Sequence, residues 1–278
     1  MALPAGLDPQ HLAGLRRMHP ATPGLPARIR AHLNAYDGYV AFSGGKDSTV
    51  ALHLALQADP NVPVVFFDSG FEFPETYHHI AALCAAWNVE LQRVPARQST
   101  LEVLVASGAW DHSATRPPRT PNLHTILITE PSGRAHQQHG PGEIWGVRAQ
   151  ESTGRAALYA RALRTETATG CGPCCTTTQA SRQRHGGIIH RADGTNVFGP
   201  IWDWSTADVH GYISRHRIPL NPVYAKLKAL GAPETMMRVS HMLDGSRLEE
   251  GRVTWLRRGW PSLFAELCEH LPRLREFV

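Results

Sequence analysis

The chain has 278 residues, 42% of them hydrophobic and 19% charged, with a formal net charge of +4. These values exclude a disordered polyelectrolyte, leave room for a sizeable core, and admit an anionic partner without requiring one. No run of eighteen apolar residues occurs, and Met1–Gly6 shows no basic region followed by an apolar one, so the expectation is a cytoplasmic protein with no membrane association.

Residues 1–30 are rich in Pro, Ala and Arg; Leu12, Leu15 and Met18 predict one short helix ahead of a Pro-punctuated linker. From Tyr39 the pattern alternates. A strand over 39–42 leads into a glycine turn, and a helix over 47–58 follows, with Val50, Ala51, Leu54 and Ala55 at helical spacing. Val62–Phe67 reads as a buried strand, and Pro74 suits the first turn of a helix whose apolar stripe is Ile80, Leu83, Cys84 and Trp87. A third strand, Val89–Val94, and a helix, Leu101–Ala106, come next. This alternation predicts an α/β fold with a parallel sheet covered by helices.

Residues 111–142 break the rhythm with Pro117, Pro118, Pro121, Gly133 and Gly140-Pro141-Gly142, which predicts a long loop around a short helix near Leu123–Thr129. Glu143–Val147 resumes as a core strand. An Arg- and Thr-rich, Cys-containing stretch runs to His185, and Gly187–His190 with Asn196–Phe198 flank Asp193-Gly194 as a hairpin. Ser205 caps a helix that places Val209 and Ile213 inward, and Pro219–Pro222 ends it. The last forty residues read as helical. The expected divisions are 1–30 (helix and linker), 31–225 (nucleotide-binding domain) and 226–278 (helical extension).

The chemistry concentrates in Ser43-Gly44-Gly45-Lys46-Asp47-Ser48, between an apolar strand and a helix. Such a turn aims backbone N–H groups and the positive end of a helix at one point, a favourable place for phosphate. Glycine lets the main chain approach closely and Lys46 adds a point charge. Asp47 places a carboxylate beside the phosphates, which is unfavourable unless a cation such as Mg²⁺ sits nearby. Asp68 ends an apolar strand where the crevice of a parallel sheet opens; it could hold a ribose or a metal-bound water, or simply cap a turn. Trp202, Trp204 and Tyr212 are expected in the core.

The Ser43–Ser48 loop resembles that of the PP-loop ATP pyrophosphatases. Three further elements are similar to the phosphoadenosine-phosphosulfate reductase-like branch of that superfamily: Asp68-Ser69-Gly70-Phe71-Glu72-Phe73-Pro74-Glu75-Thr76; Gly146-Val147-Arg148-Ala149-Gln150-Glu151-Ser152 with Arg155; and Pro200-Ile201-Trp202-Asp203-Trp204 continuing to Pro219-Leu220-Asn221-Pro222-Val223-Tyr224. The resemblance covers about residues 38–225. It implies an adenine nucleotide α-hydrolase-like fold and cleavage of ATP between its α and β phosphates. It further implies that Ser43, Gly44, Gly45, Lys46, Asp47, Ser48, Asp68, Gly146 and Arg148 surround the nucleotide, with Lys46, Asp47, Arg148 and Arg155 serving catalysis and Mg²⁺ reached from Asp47 through water. Each arginine could instead form a surface ion pair with Glu151.

Of five cysteines, Cys171, Cys174 and Cys175 form one block, and the odd total does not suit a disulfide framework. The C-x-x-C spacing fits two thiolates on a metal or a [4Fe–4S] cluster, with the fourth ligand unassigned among Cys84, Cys268, His185, His190 or a partner. It equally fits a redox pair, or inert thiols. Cys84 lies on an apolar stripe and is expected in the core. Seven arginines against two glutamates between Arg148 and Arg191 form an anion-binding stretch, for the nucleotide alone or for a nucleic-acid backbone as well.

The reductases of the branch carry a cysteine in a C-terminal E-C-G-[LI]-H element; here the nearest match is Glu266-Leu267-Cys268-Glu269-His270, without the glycine and within a helical pattern. The position of the cysteine block resembles the ATP pyrophosphatase of DNA phosphorothioation systems. That resemblance implies adenylation of a DNA backbone, with a cysteine desulfurase and other subunits of a modification complex as partners. The alternatives are a phosphosulfate reductase or sulfotransferase, another adenylating enzyme such as an RNA thiolase, and a catalytically silent nucleotide-sensing subunit.

Overall fold

The structure, a computed structural model, describes residues 24–108, 110–111, 122–170, 185–240 and 252–278. The helix expected around Leu12–Met18 and the block Cys171–Cys175 lie outside the described residues.

The fold is α/β, as the alternation of patterns predicts. In chain order the elements begin with α1 (Leu25–Tyr36), β1 (Gly38–Ala41), α2 (Lys46–Ala58), β2 (Val64–Asp68), α3 (Pro74–Ala86), β3 (Leu91–Pro95) and α4 (Thr100–Ala106). Next come α5 (Glu130–His139), β4 (Gly142–Ile144), α6 (Thr153–Gly170), β5 (Ile188–His190), β6 (Asn196–Phe198) and α7 (Thr206–His216). The last helices are α8 (Pro222–Ala229), α9 (Arg252–Gly259) and α10 (Pro261–His270). One six-stranded sheet has the order β3-β2-β1-β4-β6-β5. β1 pairs in parallel with β2 and β4, β4 in parallel with β6, and the β5–β6 hairpin is antiparallel. The central strands β1 and β2 are nearly continuous apolar runs, as strands covered on both faces are.

Three stretches depart from expectation. The short helix expected near Leu123–Thr129 is present, but it runs on through α5 to His139, where a loop is expected. Pro131 explains how: it has no N–H to give, and the backbone ahead of it widens into a π-helical turn, Thr125–Thr129, in which the Glu130 N–H reaches back to the Thr125 carbonyl. Thr153–Gly170 forms an 18-residue helix; its Ala-, Leu- and Arg-rich sequence favours helix intrinsically, yet it buries so narrow a stripe that hydrophobic spacing does not reveal it. The helix Leu25–Tyr36 begins within the stretch up to Arg30 where a linker is expected, with Pro26 in its first turn, where a missing N–H does no harm.

The chain divides into two compact units. The first comprises residues up to Phe66 with Leu83–Gln92 and Arg134–Leu220, the second Phe67–Ala82, Arg93–Gly133 and Asn221–Val278. In the second, α8, α9 and α10 supply much of one apolar cluster: Val223, Leu227, Val253, Leu256, Trp260, Phe264 and Leu267 pack with Phe71 and Phe73. Glu75 fixes this arrangement, because its carboxylate accepts from Lys226 Nζ at 2.9 Å and from Trp260 Nε1 at 2.8 Å. Among the described residues no helix is long and apolar enough to cross a membrane.

In the first unit α2 is tied to α7. His53 Nδ1 lies 2.7 Å from the Tyr212 hydroxyl, which also accepts from Gln57 Nε2 at 3.2 Å. Burial pushes His53 down from 6.5 to about 4, with the nearby His216 adding to the effect. The folded protein therefore holds His53 neutral over a range in which the unfolded chain protonates it. The contribution of His53 to stability is full above about pH 6.5 and is lost as the pH drops toward 4. His53→Gln should flatten the fall in melting temperature between pH 7 and 4.5; an unchanged pH profile would contradict this.

Candidate functional site

The loop after β1 has the geometry that its glycines permit. Gly44 adopts φ +71°, open to glycine at little strain, and Gly45 is the N-cap of α2. Ser48 Oγ donates to the Gly45 carbonyl at 3.0 Å, accepts from the Ser43 N–H at 3.3 Å, and lies 3.1 Å from Ser43 Oγ. Thr49 Oγ1 donates to the same Gly45 carbonyl at 2.8 Å. The hydroxyls thus brace the turn from within. The first amides of α2 have no acceptor inside the helix, and the helix dipole makes that end attractive to an anion.

Asp47 organises the charges. Its Oδ2 accepts from Lys46 Nζ at 2.9 Å and its Oδ1 from Arg148 Nε at 2.7 Å. Arg148 is 3% exposed. Its Nη1 donates to the Trp204 carbonyl at 3.1 Å and to Gln150 Oε1 at 3.2 Å, and its own N–H donates to Glu151 Oε2 at 2.8 Å. Gln150 Oε1 also accepts the Thr206 N–H, at 3.0 Å, where α7 begins under its Ser205 cap. Three segments therefore converge on one guanidinium: the first turn of α2, residues 146–151, and residues 204–206. Gly146 permits the approach, since a Cβ there would stand 2.4 Å from the Asp47 carbonyl carbon and from the Ser48 nitrogen.

The sequence-predicted residues Ser43, Gly44, Gly45, Lys46, Asp47, Ser48, Gly146 and Arg148 are thus brought together in the first unit. Arg155 is not joined to them by a direct contact. Its Nη1 pairs with Glu151 Oε2 at 2.6 Å, the ion pair left open on sequence grounds. Asp68 belongs to the second unit, where it is buried. Its Oδ1 accepts from the Gly70 N–H at 2.9 Å and the Tyr77 hydroxyl at 2.7 Å, and its Oδ2 pairs with Arg93 Nε. Those are the bonds of a residue that anchors a turn. Burial and the Asp68 carboxylate push the Tyr77 phenol up, so it stays a proton donor.

Metal binding is less well provided for. The cation required beside Asp47 is supplied by Lys46 and Arg148, one on each carboxylate oxygen, so the carboxylate is more than neutralised by the protein's own side chains. Among the described residues no three His, Cys, Asp or Glu side chains gather into a metal-binding group. Cys84 and Cys268 are both buried, and burial pushes the Cys84 thiol up to about 11, far from a reactive thiolate. Trp202, Trp204 and Tyr212 are buried as expected.

Sequence reasoning missed three partners of Arg148: the Trp204 carbonyl, Gln150, and Thr206, whose Oγ1 lies 3.5 Å from Arg148 Nη2 and whose N–H holds Gln150. A backbone acceptor leaves no mark in a sequence, but the Ser205 helix start did mark where residue 206 would present its N–H.

The buried pair yields a double-mutant prediction. Arg148→Met, which leaves Asp47 with one cation, should destabilise the protein by about 3 kcal/mol in denaturant unfolding. Adding Asp47→Asn should cost less than the sum of the single changes by more than about 1 kcal/mol. Additive effects would contradict a direct interaction.

Residues 38–232 match the family model described as the phosphoadenosine phosphosulfate reductase domain. A phosphoadenosine 5'-phosphosulfate reductase from Alkalilimnicola ehrlichii is 28% identical over 258 residues, 91% of each chain. One from Xanthomonas campestris is 26% identical over 219 residues, covering 78% of this chain and 77% of that protein. Among solved structures, a phosphoadenylyl-sulfate reductase from Candida auris aligns with a TM-score of 0.48 at 19% identity, covering 81% of this chain and 93% of that one. With the family model spanning well over half of its residues, the chain belongs to the phosphoadenosine phosphosulfate reductase domain family.

Proposed function

We propose that this chain is an enzyme of sulfur transfer that holds the phosphates of an adenylyl nucleotide on the Ser43–Ser48 loop, with phosphoadenylyl or adenylyl sulfate as its first candidate substrate. The observation that carries the nucleotide part is the line Lys46–Asp47–Arg148 at the start of α2, two cations on one carboxylate beside helix amides. The sulfur part draws support from the family match and from the relatives named as phosphosulfate reductases.

On this reading the loop amides, Lys46 and Ser48 hold the phosphate oxygens, and Arg148 keeps the helix start in place. A thiolate attacks the sulfonyl sulfur. The bond between that sulfur and the bridging oxygen breaks, and the adenosine phosphate leaves with the electron pair. A second thiolate then attacks the cysteine Sγ of the S-sulfocysteine; the bond from Sγ to the sulfonate sulfur breaks, sulfite leaves with the electron pair, and the resulting disulfide is reduced by a thioredoxin-type dithiol. Cys84 and Cys268 are buried, so the thiols come from Cys171, Cys174 or Cys175, or from a partner protein.

A second reading rests on the sequence: the position of the cysteine block, and Glu269 standing where the reductases' C-terminal element has glycine. In that reading the nucleotide is ATP. An acceptor oxygen, such as one on a DNA backbone destined for phosphorothioate modification, attacks the α-phosphorus and pyrophosphate leaves with Mg²⁺ as part of the substrate. The Cys171–Cys175 block would then hold a [4Fe–4S] cluster, and a cysteine desulfurase and further subunits would supply the sulfur. Arg161 and Arg164, exposed on α6 and unpaired with any carboxylate among the described residues, suit an anionic polymer.

Product analysis separates the two. Sulfite release from an adenylyl sulfate with thioredoxin is the expected result; AMP and pyrophosphate from ATP, stimulated by DNA, would favour the second reading, and neither product would reject both. Lys46→Ala should lower whichever rate is found by at least about 100-fold, since it removes a preorganised charge from the phosphates.

A further inference from the structure

Gln150 is exposed, yet its carbonyl end is fully committed. Oε1 accepts Arg148 Nη1 at 3.2 Å and the Thr206 main-chain N–H at 3.0 Å. Both partners are obligate donors, since a guanidinium and a peptide N–H offer nothing that an amide N–H could bond. The two contacts therefore fix which way the amide faces. Nε2, with two N–H groups, is the outward end, and among the described residues it has no acceptor. An ordinary exposed glutamine turns freely and gives both ends to water. This one is held in a single orientation by a buried arginine that is itself bonded to Asp47, whose other oxygen carries Lys46.

We propose that Gln150 is a ligand-binding residue whose Nε2 donates to an anionic oxygen of the nucleotide, a phosphate or sulfate oxygen, while its Oε1 holds Arg148 in place. This rests on the proposed nucleotide site and adds a contact to it. The residue lies in a single 3₁₀ turn, Ala149–Glu151, joined through Arg148 to the first turn of α2. A neutral donor there is suited to oxygens whose main charge is met elsewhere, by Lys46 and the helix amides. Acidic oxygens accept strongly from a fixed amide, and a fixed donor loses little freedom on binding.

Gln150→Glu tests the proposal, because glutamate keeps the acceptor for Arg148 and Thr206 but replaces the outward NH₂ with an acceptor oxygen. A residue that only positions Arg148 would keep or raise the melting temperature, and any repulsion of the ligand by the new carboxylate would fade in high salt, restoring near wild-type affinity there. A ligand donor would fail in high salt too. The measurement is calorimetric binding of phosphoadenylyl sulfate, ATP and adenosine 3',5'-bisphosphate to the full chain, with melting temperature followed in parallel. The expected result is binding weakened by about tenfold or more in Gln150→Glu, in low and in high salt, at a melting temperature equal to or above that of the wild type. Gln150→Leu, which loses both ends, should weaken binding similarly and also lower the melting temperature. Near wild-type affinity in Gln150→Glu in high salt would overturn the role of Gln150 and leave the nucleotide site standing. A wild-type protein that binds none of the three nucleotides would overturn the nucleotide site, and this role with it.

Discussion

The bond between Asp47 and Arg148 is the constraint on which the first unit's site depends. A guanidinium that is 3% exposed has given up its water, and its loss of hydration is offset only by acceptors held in the right places. Asp47, the Trp204 carbonyl and Gln150 are those acceptors, and they come from three separate stretches of chain. Each stretch is thereby fixed against the others. The start of α2 cannot drift without stripping the arginine of its charged partner, so the Ser43–Ser48 loop inherits the rigidity of a buried ion pair. An anion-binding turn needs this, because its main-chain donors act together only while they keep one geometry.

The same pairing accounts for a carboxylate at the start of α2, beside the proposed phosphate site. Alone, Asp47 would repel an anion. With Lys46 on one oxygen and Arg148 on the other, the group of three carries a net positive charge. Glycine serves the arrangement twice, at Gly44 by allowing a positive φ and at Gly146 by leaving room for the α2 main chain. In the second unit Asp68 follows similar logic with Gly70, Tyr77 and Arg93, and Glu75 does so with Lys226 and Trp260. The motif around Phe73-Pro74-Glu75-Thr76 is in this light a socket for the C-terminal helices: Trp260 packs on Phe73 with ring centroids 4.3 Å apart, and Thr76 Oγ1 donates to the Val239 carbonyl at 2.6 Å.

Much of this was legible in the sequence where local rules suffice. The strand–glycine–helix pattern placed β1, the turn after it and α2, the Asp193-Gly194 turn placed the β5–β6 hairpin, and Ser205 marked the start of α7, each because a short stretch dictates its own backbone. Helix α6 was not legible, since it is held by propensity and a narrow stripe around Tyr159 and Leu163. The helix through Pro131 was hidden for a different reason: proline argues against helix until a π-turn absorbs its missing donor. The pairing of Asp47 with Arg148 spans 101 residues of sequence, and no spacing rule connects them. The motifs named both residues without revealing that they touch, or that Gln150 and Thr206 complete the set.

The most direct test is a crystal structure of the protein with adenylyl sulfate, or with an ATP analogue that resists cleavage. The account predicts phosphate oxygens within hydrogen-bonding distance of the main-chain nitrogens of residues 44–48 and of Lys46 Nζ, with Arg148 still bonded to Asp47. A nucleotide bound with its phosphates away from that loop would contradict it.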